Sequence, residues 1–253
     1  MMQRWEPDMV RFMRDASEYV SYNRALADYI ACRIPQRSHV CDAGCGLSYL
    51  SLEMAKRVQR VTAVDINADA LCVLKENCLR QHADHIDIRC GDIELLTPEK
   101  PYDAMVFCFF GSISEVLHIA QKQCCADVFM ISRNYSRHRF SVGEHCVSYG
   151  GYKEACRRLS KIQIPFERQE MSLDLGQPFA NLDDARLFFQ LYSKDKDHSG
   201  ITDDFLWSKL KKVDHVDFPL YMPHMREVGI VHFHVKDIPR ITAVQEEIGC
   251  TAS

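Results

Sequence analysis

Apolar residues recur at helical spacing over residues 8–31: Met9, Phe12, Met13, Ala16, Tyr19, Val20, Leu26, Ala27 and Ile30 would line one face. Asn23 falls on that apolar side and Ser21 can cap a new segment, so the pattern predicts two helices with a break near residues 20–23, ended by Pro35. From residue 38 short apolar runs alternate with amphipathic stretches. The runs at 39–42, 60–64, 86–90, 104–109 and 127–132 read as buried strands. Helices are predicted over 49–57, from the N-cap Asn67 through about 81 with Leu71, Leu74 and Leu79 inward, and over 114–123. Short buried strands separated by helices imply a parallel sheet covered on both faces, and right-handed crossovers fix most of its order.

Past residue 150 the rhythm changes. A helix is predicted over 153–161, a half-exposed strand over 165–175, a helical pair over 182–192 and 203–212, and a last strand over 228–235 (VGIVHFHV). With the two late strands antiparallel, the pattern predicts an α/β fold. It is a Rossmann-like seven-stranded mixed sheet, a parallel core with a C-terminal antiparallel strand, flanked by helices, with an N-terminal helical cap and a helical insertion.

Composition narrows the function. The chain has 253 residues, which suits one large domain. Its 31 basic residues are outnumbered by 35 acidic ones, which counts against extended phosphate neutralisation and so against nucleic acid as a partner. None of the 12 cysteines forms a Cys-x-x-Cys, and Cys41 and Cys108 sit in apolar runs, where a thiol acts as a small hydrophobe. The chain opens Met-Met-Gln-Arg-Trp-Glu without a leader pattern, so a cytoplasmic, reducing location is expected. No apolar run approaches the roughly 20 residues of a bilayer span, so no membrane is expected.

The segment Val40-Cys-Asp-Ala-Gly-Cys-Gly-Leu-Ser48 carries the main chemical signal. Gly44 and Gly46 follow the first strand and precede a helix, where glycine lets the backbone turn and approach a ligand. Open parallel sheets bind ligands at that carboxyl edge. A dinucleotide site wants Gly-x-Gly-x-x-Gly, but Tyr49 takes the third position and Asp42 stands two residues before the first glycine. A carboxylate there repels a pyrophosphate and attracts an ammonium.

In these residues the chain resembles the class I S-adenosylmethionine (SAM)-dependent methyltransferases. Asp42-x-Gly44-x-Gly46 looks like their first motif, Asp65 ends the second strand 19 residues after Gly46, and Gly91-Asp92 follows the third. The resemblance covers roughly residues 38–135, and more loosely the last strand. It implies a SAM site formed by Asp42, Gly44, Cys45 and Gly46, by Asp65 and Ile66 at the ribose, by Asp92 and Ile93 at the adenine, by Cys108, and by Tyr22 from the N-terminal helices. It implies one methyltransferase domain over 1–253: a helical cap over 1–35, a SAM-binding core over 36–150, and a C-terminal part over 151–253 with the insertion near 180–222 and the last strand near 228–236.

The acceptor is expected beside Cys108-Phe-Phe-Gly-Ser112, which lacks the Asn/Asp-Pro-Pro-Tyr/Phe of enzymes acting on planar amino groups. Phe109 and Phe110 are candidates to flank it. Arg133 and Arg137, in Arg133-Asn-Tyr-Ser-Arg-His-Arg139, are candidates to bind an acidic small molecule through paired hydrogen bonds. No general base is identified; methyl transfer from a sulfonium mostly needs orientation and desolvation. His232-x-His234 shares one strand face but brings no third ligand in the sequence, so it is read as a hydrogen-bonded or surface pair and no metal is expected. The other readings are a nicotinamide-linked oxidoreductase, which needs a pyrophosphate site; an RNA methyltransferase, which needs a continuous basic surface around 133–139; and a non-catalytic SAM-binding partner protein. The sequence leaves oligomeric state open.

Overall fold

A computed structural model describes residues 5–146 and 151–239. The N-terminal region forms α1 (Pro7–Tyr19) and α2 (Tyr22–Ala31). The alternating region follows as β1 (His39–Ala43), α3 (Tyr49–Ala55), β2 (Arg60–Asp65), α4 (Ala68–Gln81), β3 (Ile86–Cys90), β4 (Tyr102–Cys108), α5 (Ile113–Gln123) and β5 (Cys124–Arg133). The rest comprises α6 (Tyr152–Lys161), β6 (Glu167–Asp174), β7 (Gln177–Phe179), α7 (Leu182–Tyr192), α8 (Asp203–Lys209), β8 (Lys211–Lys212), β9 (Leu220–Met222) and β10 (Met225–His234).

Seven strands form the main sheet in the order β3-β2-β1-β4-β5-β10-β6. Strands β1 to β5 pair in parallel, while β10 runs antiparallel to both β5 and β6. The predicted mixed sheet is therefore present, and the strand order reverses between β1 and β4, which places a ligand crevice at their carboxyl ends. Helices α2 to α4 cover one face and α5 and α6 the other.

Local chemistry explains the helix ends. The Asn67 side chain accepts from the Asp69 and Ala70 amides and starts α4, as predicted. Ser112 and Glu115 form a reciprocal capping box at α5. In α4 one expectation fails: Leu71 and Leu74 are buried, but Leu79 is 71% exposed. Five residues beyond Leu74 at about 100° each turn it about 140° away from the core, and Asn77 takes the inward place.

The insertion is more than a helical pair. Strands β7, β9 and β8 form a separate small sheet. Its core is Phe179, Phe188, Phe189, Leu206, Leu220 and Met222, and Phe12 of α1 is fully buried among them. Phe12 meets Phe188 edge-on at 5.2 Å. Arg11 pairs with Asp184 at 2.7 Å. Helix α1 thus belongs to the cap, whereas α2 packs on α3 and the main sheet.

Candidate active site

Left-handed backbone at Gly44 (φ +67°) and Gly46 (φ +55°) folds the loop after β1 back over the sheet edge. Asp65 ties that loop to β2: its Oδ2 accepts from the Gly46 amide at 2.7 Å and its Oδ1 from the Asn67 amide at 2.8 Å. Gly44, Asp65, Ile66, Gly91, Asp92, Ile93 and Phe110 line one cleft of about 460 Å³. Three successive strand ends meet there. Ile93 is buried while Ile66 is 56% exposed, so an apolar floor faces an open apolar lip. Asp92 Oδ1 accepts from the Glu94 amide at 2.9 Å, which fixes its carboxylate at the mouth.

Asp42 lies behind the loop, fully buried. Its Oδ2 accepts from the Ser51 hydroxyl at 2.6 Å. Its Oδ1 has no hydrogen-bond partner among the described residues. Burial pushes the carboxyl up to about 7; the Ser51 bond opposes this and nearby Asp65 reinforces it. A buried carboxylate with one bare oxygen is suited to an ammonium. Cys45 is half-buried and its thiol is pushed up, mainly by burial.

Phe110 stands against the glycine loop. Phe109 takes a left-handed conformation (φ +56°), and the turn sends the Phe110 ring toward the loop. A Cβ on Gly44 would lie 2.2 Å from Phe110 Cγ, so this ring forms a wall of the cleft.

The second half of the site lies beyond Cys108. The Phe109 ring sits under the Arg226 guanidinium at 4.2 Å, and the Tyr22 ring is 5.8 Å from it. Arg226 Nε and the Tyr22 hydroxyl are buried and have no hydrogen-bond partner among the described residues. Burial pushes the Tyr22 phenol up, and Arg226 pulls it partly back. Cys108 bridges the two halves: burial and Asp42 push its thiol up to about 12, against Arg226. His224 is pushed down to about 4 by burial and by the charges of Arg139 and Arg226, so it stays neutral beside them.

Arg133 and Arg137 are not at this focus. Arg133 is exposed at the end of β5, and Arg137 is exposed and reaches Glu144 at 3.9 Å. The arginine that meets the loop after β4 is Arg226, which the sequence reading did not single out. Trp5 was also missed: a Cβ on Gly46 would lie 3.8 Å from its ring. Tyr19 instead stacks on Tyr221 of the cap at 5.2 Å. Tyr22, placed on the cofactor side by the sequence reading, stands on the Arg226 side.

Comparisons agree with the fold. Residues 40–130 match the methyltransferase domain family. A malonyl-[acyl-carrier protein] O-methyltransferase of Priestia megaterium is 25% identical over 157 residues, covering 56% of each chain. This chain thus spans about half the length of that curated relative. The YcgJ protein of Bacillus subtilis superposes with a TM-score of 0.54 at 12% identity, over 83% of this chain and 97% of its own. A precorrin-6y C5,15-methyltransferase of Geobacter metallireducens gives 0.50 at 12% identity, over 83% and 87%. No helix among the described residues is long and apolar enough to cross a membrane.

Proposed function

We propose, from the premise that this chain belongs to the class I SAM-dependent methyltransferases, that it moves the methyl group of SAM to a small-molecule acceptor bearing an anionic group. The observation that carries the acceptor class is Arg226, whose buried Nε has no hydrogen-bond partner among the described residues beside the equally unpartnered Tyr22 hydroxyl. A guanidinium and a phenol left so recognise a carboxylate. The relative named for a malonyl acceptor supports this, since a malonyl group carries a carboxylate.

SAM supplies, when bound, a methyl group on a positively charged sulfur with a neutral leaving group. The residues of this chain fit it. Asp42 offers its bare oxygen to the amino-acid ammonium, Asp65 keeps lone pairs for the ribose hydroxyls, and Asp92 with Ile93 stands where the adenine would lie. Phe109 and Arg226 bound the acceptor side. A sulfonium and a guanidinium sharing one low-dielectric site repel each other, and an anion between them relieves that repulsion. No protein base is required for a carboxylate nucleophile. Unpaired thiols at all eleven described cysteines fit a reducing, cytoplasmic setting.

The test is isotopic. Methyl-labelled SAM is incubated with the protein, a cell-extract metabolite pool and, separately, a malonyl thioester. Label in a carboxylate-bearing small molecule is expected, and label only in RNA or in no product sinks the reading.

Two cofactor-side results follow. Asp65→Ala is expected to weaken SAM by about 1.5–3 kcal/mol, tenfold or more, in a folded protein. Unchanged affinity by calorimetry would remove Asp65 from the site. Asp42 makes binding pH-dependent. Its folded pKa lies above the ordinary 3.8, so its contribution to stability is full below about pH 4 and lost as pH rises through about 7. At pH 8 the ionised carboxylate destabilises the ligand-free fold and favours the SAM ammonium. Asp42→Asn should therefore raise the ligand-free Tm at pH 8 by about 4–8 °C, roughly 2 kcal/mol. It should also abolish the loss of SAM affinity expected of the wild type below pH 7. A lower Tm together with a wild-type pH profile would contradict both.

A further inference from the structure

His232 and His234 lie on one face of β10, where alternate residues point the same way. Their missing third donor comes from a strand more than a hundred residues away. In the antiparallel register His234 stands opposite Asp127 at the start of β5. The Asp127 Oδ1 is 2.7 Å from His232 Nε2 and 3.4 Å from His234 Nδ1. One donor atom from each of the three lies within 4.8 Å of the others. Four-coordinate zinc with bonds of about 2.0–2.1 Å holds its ligand atoms roughly 3.3 Å apart, so the two measured separations bracket that spacing.

The surroundings of His232 point the same way. Its ring is stacked on Phe129 at 4.3 Å with an interplanar angle of 6°, which fixes the direction of both nitrogens. Nδ1 is buried and has no hydrogen-bond partner among the described residues. The nearest acid to it is Glu167, with Oε2 at 3.7 Å; Glu167 opens β6 directly opposite His232. His232 Nε2 thus faces Asp127, while Nδ1 faces a second carboxylate without a hydrogen bond to it. With Nε2 on a metal ion, the proton sits on Nδ1 and points to Glu167. That is the outer-shell carboxylate arrangement of metal-bound histidines. The His234 side chain is 47% exposed, so the cluster reaches solvent on that side.

We propose that Asp127, His232 and His234 bind one first-row divalent metal ion, zinc by preference, with Glu167 orienting His232. Imidazole and carboxylate donors suit zinc, cobalt(II) and nickel(II) better than magnesium or calcium. The site is at the amino end of β5, whereas Gly44, Asp65 and Asp92 stand at carboxyl ends of parallel strands, so the ion takes no part in methyl transfer. Its effect is structural: it ties β5 to β10 and, through Glu167, to the edge strand β6.

The test uses the full chain stripped with a chelator and titrated with Zn2+ by calorimetry, then with Co2+ by absorption. One equivalent of each is expected, with a zinc-dependent rise in Tm and the intense visible bands of four-coordinate cobalt. His234→Ala removes a ligand on the solvent side. It should weaken zinc about 100-fold and leave the metal-free Tm unchanged, and Glu167→Gln should weaken it about tenfold. Four outcomes overturn the site: no saturable binding, equal affinity in His234→Ala, the weak spectrum of hydrated cobalt, or a thiolate charge-transfer band, which would place the ion on cysteines. SAM affinity measured on the same samples should match in wild type and His234→Ala, so the fate of this site is independent of the methyltransferase reading.

Discussion

Gly44→Ala is expected to cost about 100-fold in SAM affinity. Two penalties act at once. The residue sits at φ +67°, where a side chain costs about 1–2 kcal/mol. The new Cβ would also lie 2.2 Å from Cγ and 2.3 Å from Cδ2 of Phe110, a separation that real atoms do not adopt. Either the loop or the ring must move, and each lines the cleft with Asp65 and Asp92. Gly46→Ala is the control. It pays the left-handed penalty at φ +55°, but its Cβ would meet only Trp5 at 3.8 Å, an ordinary contact. A loss of only about tenfold is expected there. Removing the obstacle should restore part of the loss, so Gly44→Ala with Phe110→Ala should bind better than the sum of the single losses allows. Calorimetry on the four proteins, with melting curves to confirm folding, decides it. Equal losses for Gly44→Ala and Gly46→Ala would show that the ring contact is irrelevant.

The sheet, and the acids and glycines at its strand ends, were legible in the sequence because their signals are local. A buried parallel strand is a short apolar run, and Asp42, Gly44, Gly46, Asp65 and Asp92 each stand at the end of one. Pairing across distance left no such trace. Strands β7, β8 and β9 have three, two and three residues, too few for any periodicity, and β7 pairs with β9 across a long stretch of chain. The Phe110 ring could not be placed because a single positive φ at Phe109 decides its direction. Arg133 and Arg137 drew attention as a cluster, yet both are exposed and Arg137 lies beside Glu144 at 3.9 Å. Arg226 is a single basic residue between Met225 and Glu227. It gains meaning only because β10 begins at Met225 and runs antiparallel, which brings its first residues to the carboxyl edge of β4 and β5. Asp127 is a similar case, an acid at a strand start whose histidine partners arrive by the same antiparallel register.

Arg226→Ala is expected to lower kcat/KM for the acceptor by about 100-fold or more, roughly 3 kcal/mol, with SAM affinity unchanged. A charge-assisted pair with the acceptor anion would be lost, and the cation that favours an anion beside the sulfonium would go with it. Arg226→Lys keeps the charge but not the planar fork, so it should recover only part of the rate. Tyr22→Phe removes one neutral donor and should cost about five- to tenfold. The distinction from a structural role lies in stability. Arg226 Nε and the Tyr22 hydroxyl make no hydrogen bond among the described residues, so deleting either strands no protein partner. What Arg226→Ala loses in the fold is its stacking on Phe109, worth about 1 kcal/mol. A ligand-binding Arg226 therefore predicts a Tm within about 4 °C of wild type and a collapsed acceptor rate. A structural Arg226 predicts the reverse: a large drop in Tm, with the rate per folded molecule preserved. Excess acetate or another small carboxylate should inhibit the wild type competitively against the acceptor and leave Arg226→Ala insensitive. Equal inhibition of both would put the anion elsewhere and return the acceptor site to the exposed arginines after β5.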